Sequence, residues 1–176
     1  LEWSDNGLEG CHKFLKRLWA LSFKISSLEN DAFGASEKTL NDECKDLFIK
    51  INDDYEKRLN LNTVVSSCME ILNNINKRFD GKKVLCDKSD LYTCYDFLLL
   101  ALSPIAPHIS ENLYKNILNK DIQDASWPEE SFFHKNETEV KYLVQVNGKV
   151  RANILIDSDK SEDCLLYTSP SPRDGS

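Results

Sequence analysis

The sequence contains no apolar run of about 18 uncharged residues, the length that a membrane-spanning helix requires. It also shows no basic segment followed by an apolar segment of the kind that directs secretion. Both absences predict a chain without membrane contact. Because 41% of its 176 residues are apolar, which suffices to bury a core, we expect a globular cytoplasmic protein, with an organellar matrix as the open alternative.

Motifs that hold a nucleotide, a metal ion or a nucleophile are also missing. We find no glycine-rich phosphate loop, no His-x-x-x-His or Cys-x-x-Cys spacing and no nucleophile elbow. The acidic residues of the pairs Asp53, Asp54 and Glu129, Glu130 are adjacent in the chain, so their carboxylates diverge and are expected to be solvated. The sequence therefore predicts no catalytic residue, no metal ligand and no cofactor in this chain.

Cysteines are present but are not arranged as a disulfide or metal framework. Most of them fall on the apolar faces of predicted helices, where cysteine behaves as a small hydrophobic residue. We expect reduced thiols in an intracellular compartment. The six are Cys11, Cys44, Cys68, Cys86, Cys94 and Cys164.

The chain carries a net charge of −7, so an RNA-binding surface would have to be a local basic patch. Lys13, Lys16, Arg17 and Lys24 recur at offsets of three, four and eleven residues, which predicts one basic stripe opposite the apolar face of the first helix, with His12 beside it. In an acidic chain such a stripe is a candidate phosphate-contact surface. The spacing alone also fits a solvated basic face.

Apolar residues at three- and four-residue spacing predict three amphipathic helices. The first begins near Leu8. The second begins at Leu40 with Ser36 or Thr39 as its cap, and the third begins at Leu61 after a tight reversal. Gly81 is expected to end the third helix in a left-handed conformation. The predicted buried stripe of the first helix comprises Leu8, Cys11, Phe14, Leu15, Leu18, Trp19, Leu21, Ser22 and Ile25.

The fourth helix is expected to be the central one, because the run "FLLLALS" makes it apolar on every side. Pro104 and Pro107 remove backbone donors, so this helix must end or kink near Ser103. Pro107 suits the first turn of a fifth helix that runs through Asn119.

Further along, strict alternation of apolar residues around "NG" predicts a β-hairpin. An odd-numbered loop would keep the apolar residues on one face, so we expect a loop of Val146, Asn147 and Gly148 with Gly148 left-handed. That register sets Val144 opposite Val150 and Tyr142 opposite Ala152. It would also gather cations on the other face, which presents Lys141, Gln145, Lys149 and Arg151.

Four stretches in order resemble bacterial-type leucyl-tRNA synthetases, in the part that follows the catalytic core. They read "LEWSDNGLEGCHKFLKRLWAL", "RLNLNTVVSSCMEILN", "LSPIAPHISENLY" and "VQVNGKVRANI". The first and last are the most specific, whereas the third also fits isoleucyl and valyl enzymes. Departures are Leu61 in place of a common Phe and Val64 in place of Ala, read as core exchanges, and Lys13 in place of Arg.

This resemblance implies a mainly α fold: the antiparallel helical bundle that serves as the anticodon-binding domain of the class, followed by the β-hairpin of a truncated small α/β domain. The implied divisions are the end of a stem-contact region (1–7), the bundle (8–126), a linker (127–139), the truncated C-terminal domain (140–163) and a tail (164–176). The tail, "CLLYTSPSPRDGS", differs in composition from the rest and is expected to be non-native, with a native disordered tail as the alternative.

The resemblance also implies a parent enzyme that uses ATP and Mg²⁺ to leucylate tRNA(Leu) and edits mischarged tRNA. The corresponding sites lie outside this chain, which is expected to be inactive alone, monomeric and a binder of tRNA(Leu). The alternatives are an isoleucyl or valyl enzyme and a helical protein-interaction adaptor without RNA affinity. The residues expected to contact RNA are His12, Lys13, Lys16, Arg17, Lys24, Arg58, Lys141, Lys149 and Arg151.

Overall fold

The computed structural model describes residues 5–34, 36, 38–133, 139–146 and 149–157. The chain divides into two units, Leu1–His134 and Lys135–Ser176. The predicted mainly α architecture, a helical bundle followed by a β-hairpin, is confirmed. The elements are α1 Asp5–Ser26, α2 Leu40–Asp53, α3 Leu61–Lys77, β1 Phe79–Asp80, β2 Lys83–Val84, α4 Lys88–Leu102, α5 Pro107–Leu113, α6 Glu130–Phe133, β3 Glu139–Val146 and β4 Lys149–Asp157.

The first helix buries only one of its faces. The predicted apolar stripe was too wide, because Leu8 is 55% exposed, Trp19 is 41% exposed and Cys11 is also exposed. An apolar residue is buried only where a neighbouring element covers it, and α3 and α4 cover one side of α1. The buried residues of α1 are Phe14, Leu18, Leu21, Ser22 and Ile25.

Thr39 caps α2, as one of the two predicted candidates, by accepting a hydrogen bond of 3.1 Å from the Asp42 N–H. After α2 a π turn, Asp54–Arg58, leads into the predicted reversal, where Leu59 has a φ of 49°. Leu61, interpreted from the sequence as a core exchange, is instead 49% exposed at the start of α3.

The expectation that both Asp53 and Asp54 are solvated is wrong for Asp54, which is only 1% exposed. Its backbone oxygen accepts a hydrogen bond of 3.2 Å from the Asn60 N–H, and its carboxylate accepts one from the Thr63 hydroxyl. A buried carboxylate needs such partners to offset its lost hydration. Asp54 therefore fastens the reversal between α2 and α3.

The fourth helix is the central one, as predicted. It packs against both α2 and α3, and α1 contacts it through a 2.6 Å hydrogen bond between the Ser22 and Tyr95 hydroxyls. The helix ends at Leu102, and α5 starts with Pro107 at its first position, so the predicted break at the two prolines is confirmed. The buried residues of α4 are Leu91, Cys94, Tyr95, Phe97, Leu98, Leu99, Leu100, Ala101 and Leu102.

Gly81 is left-handed, with a φ of 61°, but it does not end α3 as expected. The helix stops at Lys77, and Gly81 begins a two-residue turn between β1 and β2 in which Asp80 pairs with Lys83. Two-residue hairpin turns need a positive φ at their first central residue, which glycine adopts without strain.

The first part of the range expected to be a linker packs against the bundle. Phe132 stacks at 5.4 Å on the ring of Phe48, and Trp127 lies 5.3 Å from the ring of Phe97. The Trp127 indole N–H also donates a 2.7 Å hydrogen bond to Asn52. These contacts extend the first unit through α6.

The hairpin has a different register from the predicted one. Val146 pairs with Lys149, Val144 with Ala152 and Tyr142 with Ile154, so the predicted partners of Val144 and Tyr142 are wrong. A register shift after Val144 leaves Arg151 as the extra residue of a β-bulge. Beyond the bulge, even-numbered residues of β3 lie opposite even-numbered residues of β4. The prediction explained this parity by a three-residue loop, but the bulge produces it. Asn147, Gly148 and the 164–176 tail lie outside the described residues.

Four of the five described cysteines are buried, in agreement with their predicted behaviour as small hydrophobic residues, and Cys11 is exposed. Burial raises the pKa of the Cys68 thiol to about 12. Within the described ranges, no helix is long and apolar enough to cross a membrane.

Candidate nucleic-acid interface

Three of the predicted RNA contacts share one line on α1, which we call the cationic strip: Lys13, Arg17 and Lys24. The Lys13 ammonium pairs with Glu9 at 2.7 Å, and both side chains are largely exposed. Arg17 donates a hydrogen bond to the side chain of Asn73 on α3. The Lys24 ammonium lies 5.6 Å from the centroid of the Phe79 ring.

The cationic strip was predicted to lie opposite the buried face of α1. It lies beside that face instead. Asn73 and Phe79 belong to the C-terminal half of α3 and the strand after it, so the strip follows the seam between α1 and α3. Contact with a neighbouring helix restricts the rotamers of Arg17, which lowers the entropy that a phosphate contact would cost. Pre-positioned cations of this kind are suited to a phosphate backbone.

The other two predicted contacts on α1 lie on a different line. Helical geometry places His12 and Lys16 at an offset of four, and both are exposed. Trp19 and Phe23 continue that line at offsets of seven and eleven from His12. We call this set, His12, Lys16, Trp19 and Phe23, the aromatic strip.

A groove of about 420 Å³ lies where the cationic strip ends. Lys24 borders it, and so do Lys82 and Lys83 of the turn between β1 and β2. Sequence reasoning missed these two lysines because Gly81 was interpreted as a helix end. The dipeptide "DG" between Phe79 and Lys82 is a hairpin signal that could have indicated the turn.

Arg58 is not brought to the cationic strip. Its guanidinium lies 3.8 Å from the buried carboxylate of Asp54, at the N-terminal end of α3. Leu61 and Asn73 are twelve residues apart on that helix, which corresponds to roughly 18 Å. Arg58 therefore belongs to a separate part of the surface, although its side chain is 65% exposed.

The predicted three-residue loop would have put the basic residues of the hairpin on one face. The observed strand pairing differs from that prediction. Lys149 pairs with Val146, and Gln145 pairs with Val150 instead of Lys149. Lys141 pairs with Leu155, and Arg151 is the bulge residue. The register argument for a gathered strip is wrong, and RNA contacts by Lys141, Lys149 and Arg151 stay a prediction from the resemblance.

No group of three or more histidine, cysteine or acidic side chains in the described part of the chain is arranged to hold a metal ion. Asp54 binds its own turn, and the Cys44 and Cys94 thiols are engaged inside the core. The Cys94 thiol donates a hydrogen bond of 3.1 Å to Asn41, and the Asn74 amide donates one of 3.8 Å to the Cys44 sulfur. These groups are engaged within the fold, whereas the cations of α1 are exposed to a partner.

The comparisons with known proteins define the class. Residues 37–166 match the family described as the anticodon-binding domain of tRNA ligase, and the chain belongs to that family. Among curated proteins, a leucine–tRNA ligase of Marinobacter nauticus is 38% identical over 90% of this chain, and one of Petrotoga mobilis is 40% identical over 92%. The predicted resemblance to leucyl enzymes is confirmed, and nothing in these matches favours an isoleucyl or valyl enzyme.

The chain spans only about a fifth of those relatives, 19% of the first and 21% of the second. A chain from the crystal structure of the ternary complex of Agrobacterium radiobacter K84 agnB2 LeuRS, tRNA and LeuAMS superimposes with a TM-score of 0.63. The match covers 96% of this chain and 23% of the other, at 23% sequence identity. The two therefore share a fold.

Proposed function

We propose that this chain is the tRNA-binding part of a leucine–tRNA ligase and that α1 contacts the tRNA phosphate backbone. The observation that carries the proposal is the line of exposed cations on α1. These cations lie in a chain of the family described as the anticodon-binding domain of tRNA ligase. The relatives are ligases, and the solved neighbour was crystallised with tRNA. Leucylation with ATP and Mg²⁺, and editing, are assigned to the rest of the parent enzyme.

Local charge explains how an acidic chain can bind RNA. A net charge of −7 repels polyanions at long range, but salt at physiological strength screens charges beyond about 8 Å. Lys13, Lys16 and Arg17 occupy little more than one helical turn, so a phosphate near them interacts mainly with those cations. Arg17 donates to Asn73, and because a guanidinium has five N–H donors, that bond leaves donors for a phosphate.

The test is a double charge reversal, Lys13→Glu with Arg17→Glu, in the full 176-residue chain. Binding to a tRNA(Leu) transcript is measured by fluorescence anisotropy at several salt concentrations. Each lost phosphate contact removes about one unit from the slope of log K against log salt, so we expect weaker binding and a slope smaller by about two. Gel filtration of the same sample checks the proposed monomer.

The matched control reverses two exposed cations of α2 and the turn that follows it, Lys50 and Lys57, which changes the net charge equally. That variant is expected to keep the wild-type slope. Equal losses in both variants would show only bulk electrostatics. Absence of salt-dependent binding by the wild-type chain would favour the adaptor without RNA affinity and reject the proposal.

A further inference from the structure

The aromatic strip contains two rings that the fold does not cover. Trp19 is 41% exposed and Phe23 is 62% exposed, and their ring centroids lie 6.0 Å apart in an edge-to-face arrangement. Leaving such rings in water forgoes the free energy that their burial would provide. Within the described residues, both rings are therefore available to a partner.

Two basic and two aromatic side chains share one side of α1. His12, Lys16, Trp19 and Phe23 fall within an arc of about 60°, with His12 and Lys16 lying N-terminal to the two rings. The cationic strip runs parallel to it, roughly 110° around the helix. Between the two strips lies Glu9, whose carboxylate is paired with Lys13.

Rings that lie beside basic side chains match the chemistry of an unpaired nucleotide. Nucleobases stack on tryptophan, phenylalanine and histidine rings, while the phosphates on either side attract lysine and arginine. An apolar protein partner would use the rings but would leave Lys16 and His12 unpaired at its edge. The charge pattern therefore favours RNA over protein as the occupant.

We propose that Trp19 and Phe23 form a stacking platform for an unpaired base of the bound tRNA, with the adjoining phosphates on the cationic strip. This inference rests on the proposed tRNA binding and extends it from the backbone to a base. The two rings meet edge to face and both stay partly exposed, so together they offer an aromatic surface to a base. Stacking is tolerant of sequence, so the platform selects an unstacked base and not a particular nucleotide.

The test uses Trp19→Ala, Trp19→Phe and Phe23→Ala in the full 176-residue chain, with Leu85→Ala as the control. Leu85 is 48% exposed in the segment between β2 and α4, so it matches the rings in exposure. Each variant is titrated with a tRNA(Leu) transcript and with a fully paired RNA duplex of equal phosphate number. Affinity is measured across the same salt series.

For the transcript we expect Trp19→Ala to weaken binding about tenfold, Phe23→Ala by less and Trp19→Phe only slightly. The salt slope stays at its wild-type value, because no phosphate contact is lost. For the duplex, which offers no unstacked base, the three variants bind as the wild type does. Leu85→Ala leaves both ligands unaffected.

Equal losses for transcript and duplex would overturn the inference, since stacking on an unpaired base cannot explain them. Unchanged transcript affinity in both alanine variants would also overturn it, and a lowered melting temperature in those variants would then assign the rings to protein packing. In either case wild-type binding with its salt dependence would still stand. Failure of the platform is thus distinguishable from failure of tRNA binding.

Discussion

Helices α1 and α4 contact each other but differ in almost every other respect. The fourth helix buries nine of its 15 residues, whereas the first buries a single face and exposes the cationic strip and the aromatic strip. The 2.6 Å hydrogen bond between Ser22 and Tyr95 joins them. The difference separates two tasks, because α4 supplies the core that fixes the position of α1, and α1 presents chemistry to a partner.

The same substitution on each helix tests most directly whether α4 stabilises the fold more than the exposed surface of α1 does. Leu98→Ala on α4 removes a side chain with 0% exposure and leaves a cavity, so we expect a loss of about 2–5 kcal/mol of unfolding free energy. Leu8→Ala on α1 removes a side chain that is 55% exposed and should cost less than about 1 kcal/mol. Urea denaturation followed by circular dichroism measures both, and similar costs would refute the division of tasks.

The contact between the helices gives a smaller effect that depends on pH. Ser22 donates its own hydroxyl proton to the Leu18 carbonyl at 2.9 Å, so Tyr95 donates to Ser22. Burial raises the pKa of Tyr95 to about 12, above its value of 10.0 when unfolded. The stabilisation is complete below pH 10 and is lost as the pH rises through 12, because the unfolded chain loses that proton first.

Tyr95→Phe should therefore cost about 1 kcal/mol at pH 7, through the lost hydrogen bond. Above pH 10 the variant should lose stability less steeply than the wild type, by up to about 1.4 kcal/mol per pH unit. Urea midpoints at pH 7, 10 and 11 provide the measurement. Parallel curves for the two proteins above pH 10 would mean that the pKa of Tyr95 is the same in the folded and the unfolded chain, and would contradict this prediction.

The two helices were also predictable from the sequence to different degrees. The run "FLLLAL" is apolar at every position, so the burial of this part of α4 followed without knowledge of its neighbours. In α1 the apolar residues lie on two faces, and periodicity cannot tell which one the bundle covers. Leu8 and Trp19 were placed in the core for that reason, and the position of α3 decides otherwise.

The remaining errors share a physical cause, since one local signal served two geometries. A left-handed glycine after a helix fits both a helix end and a hairpin turn, and Gly81 occupies the turn. An odd offset between strands can come from a three-residue loop or from a bulge, and Arg151 supplies the bulge. Lys82 and Lys83 were missed for the first reason. Asp54 was misplaced because the adjacent pair of aspartates does not reveal that the chain reversal brings Thr63 to one of the two carboxylates.

The smallest expected effect tests whether charges on α1 serve binding and not folding. Glu9 and Lys13 form an exposed pair at 2.7 Å, with side chains 63% and 68% exposed. Such pairs contribute little to stability, so Glu9→Gln should change the unfolding free energy by less than about 0.5 kcal/mol. The same change frees Lys13 and removes a negative charge beside the cationic strip, so tRNA(Leu) transcript binding should strengthen about twofold to threefold at low salt.

A matched control is available in Asp53→Asn, which breaks the equivalent pair with Lys57 at 2.7 Å on the turn after α2. Both variants remove one negative charge from the chain, but only Glu9 lies beside the cationic strip. Asp53→Asn is therefore expected to leave transcript affinity nearly unchanged, and the gain in Glu9→Gln should fade as salt screens the interaction. An equal gain in transcript affinity in both variants would attribute the effect to net charge, and would contradict a specific role of α1 in RNA binding.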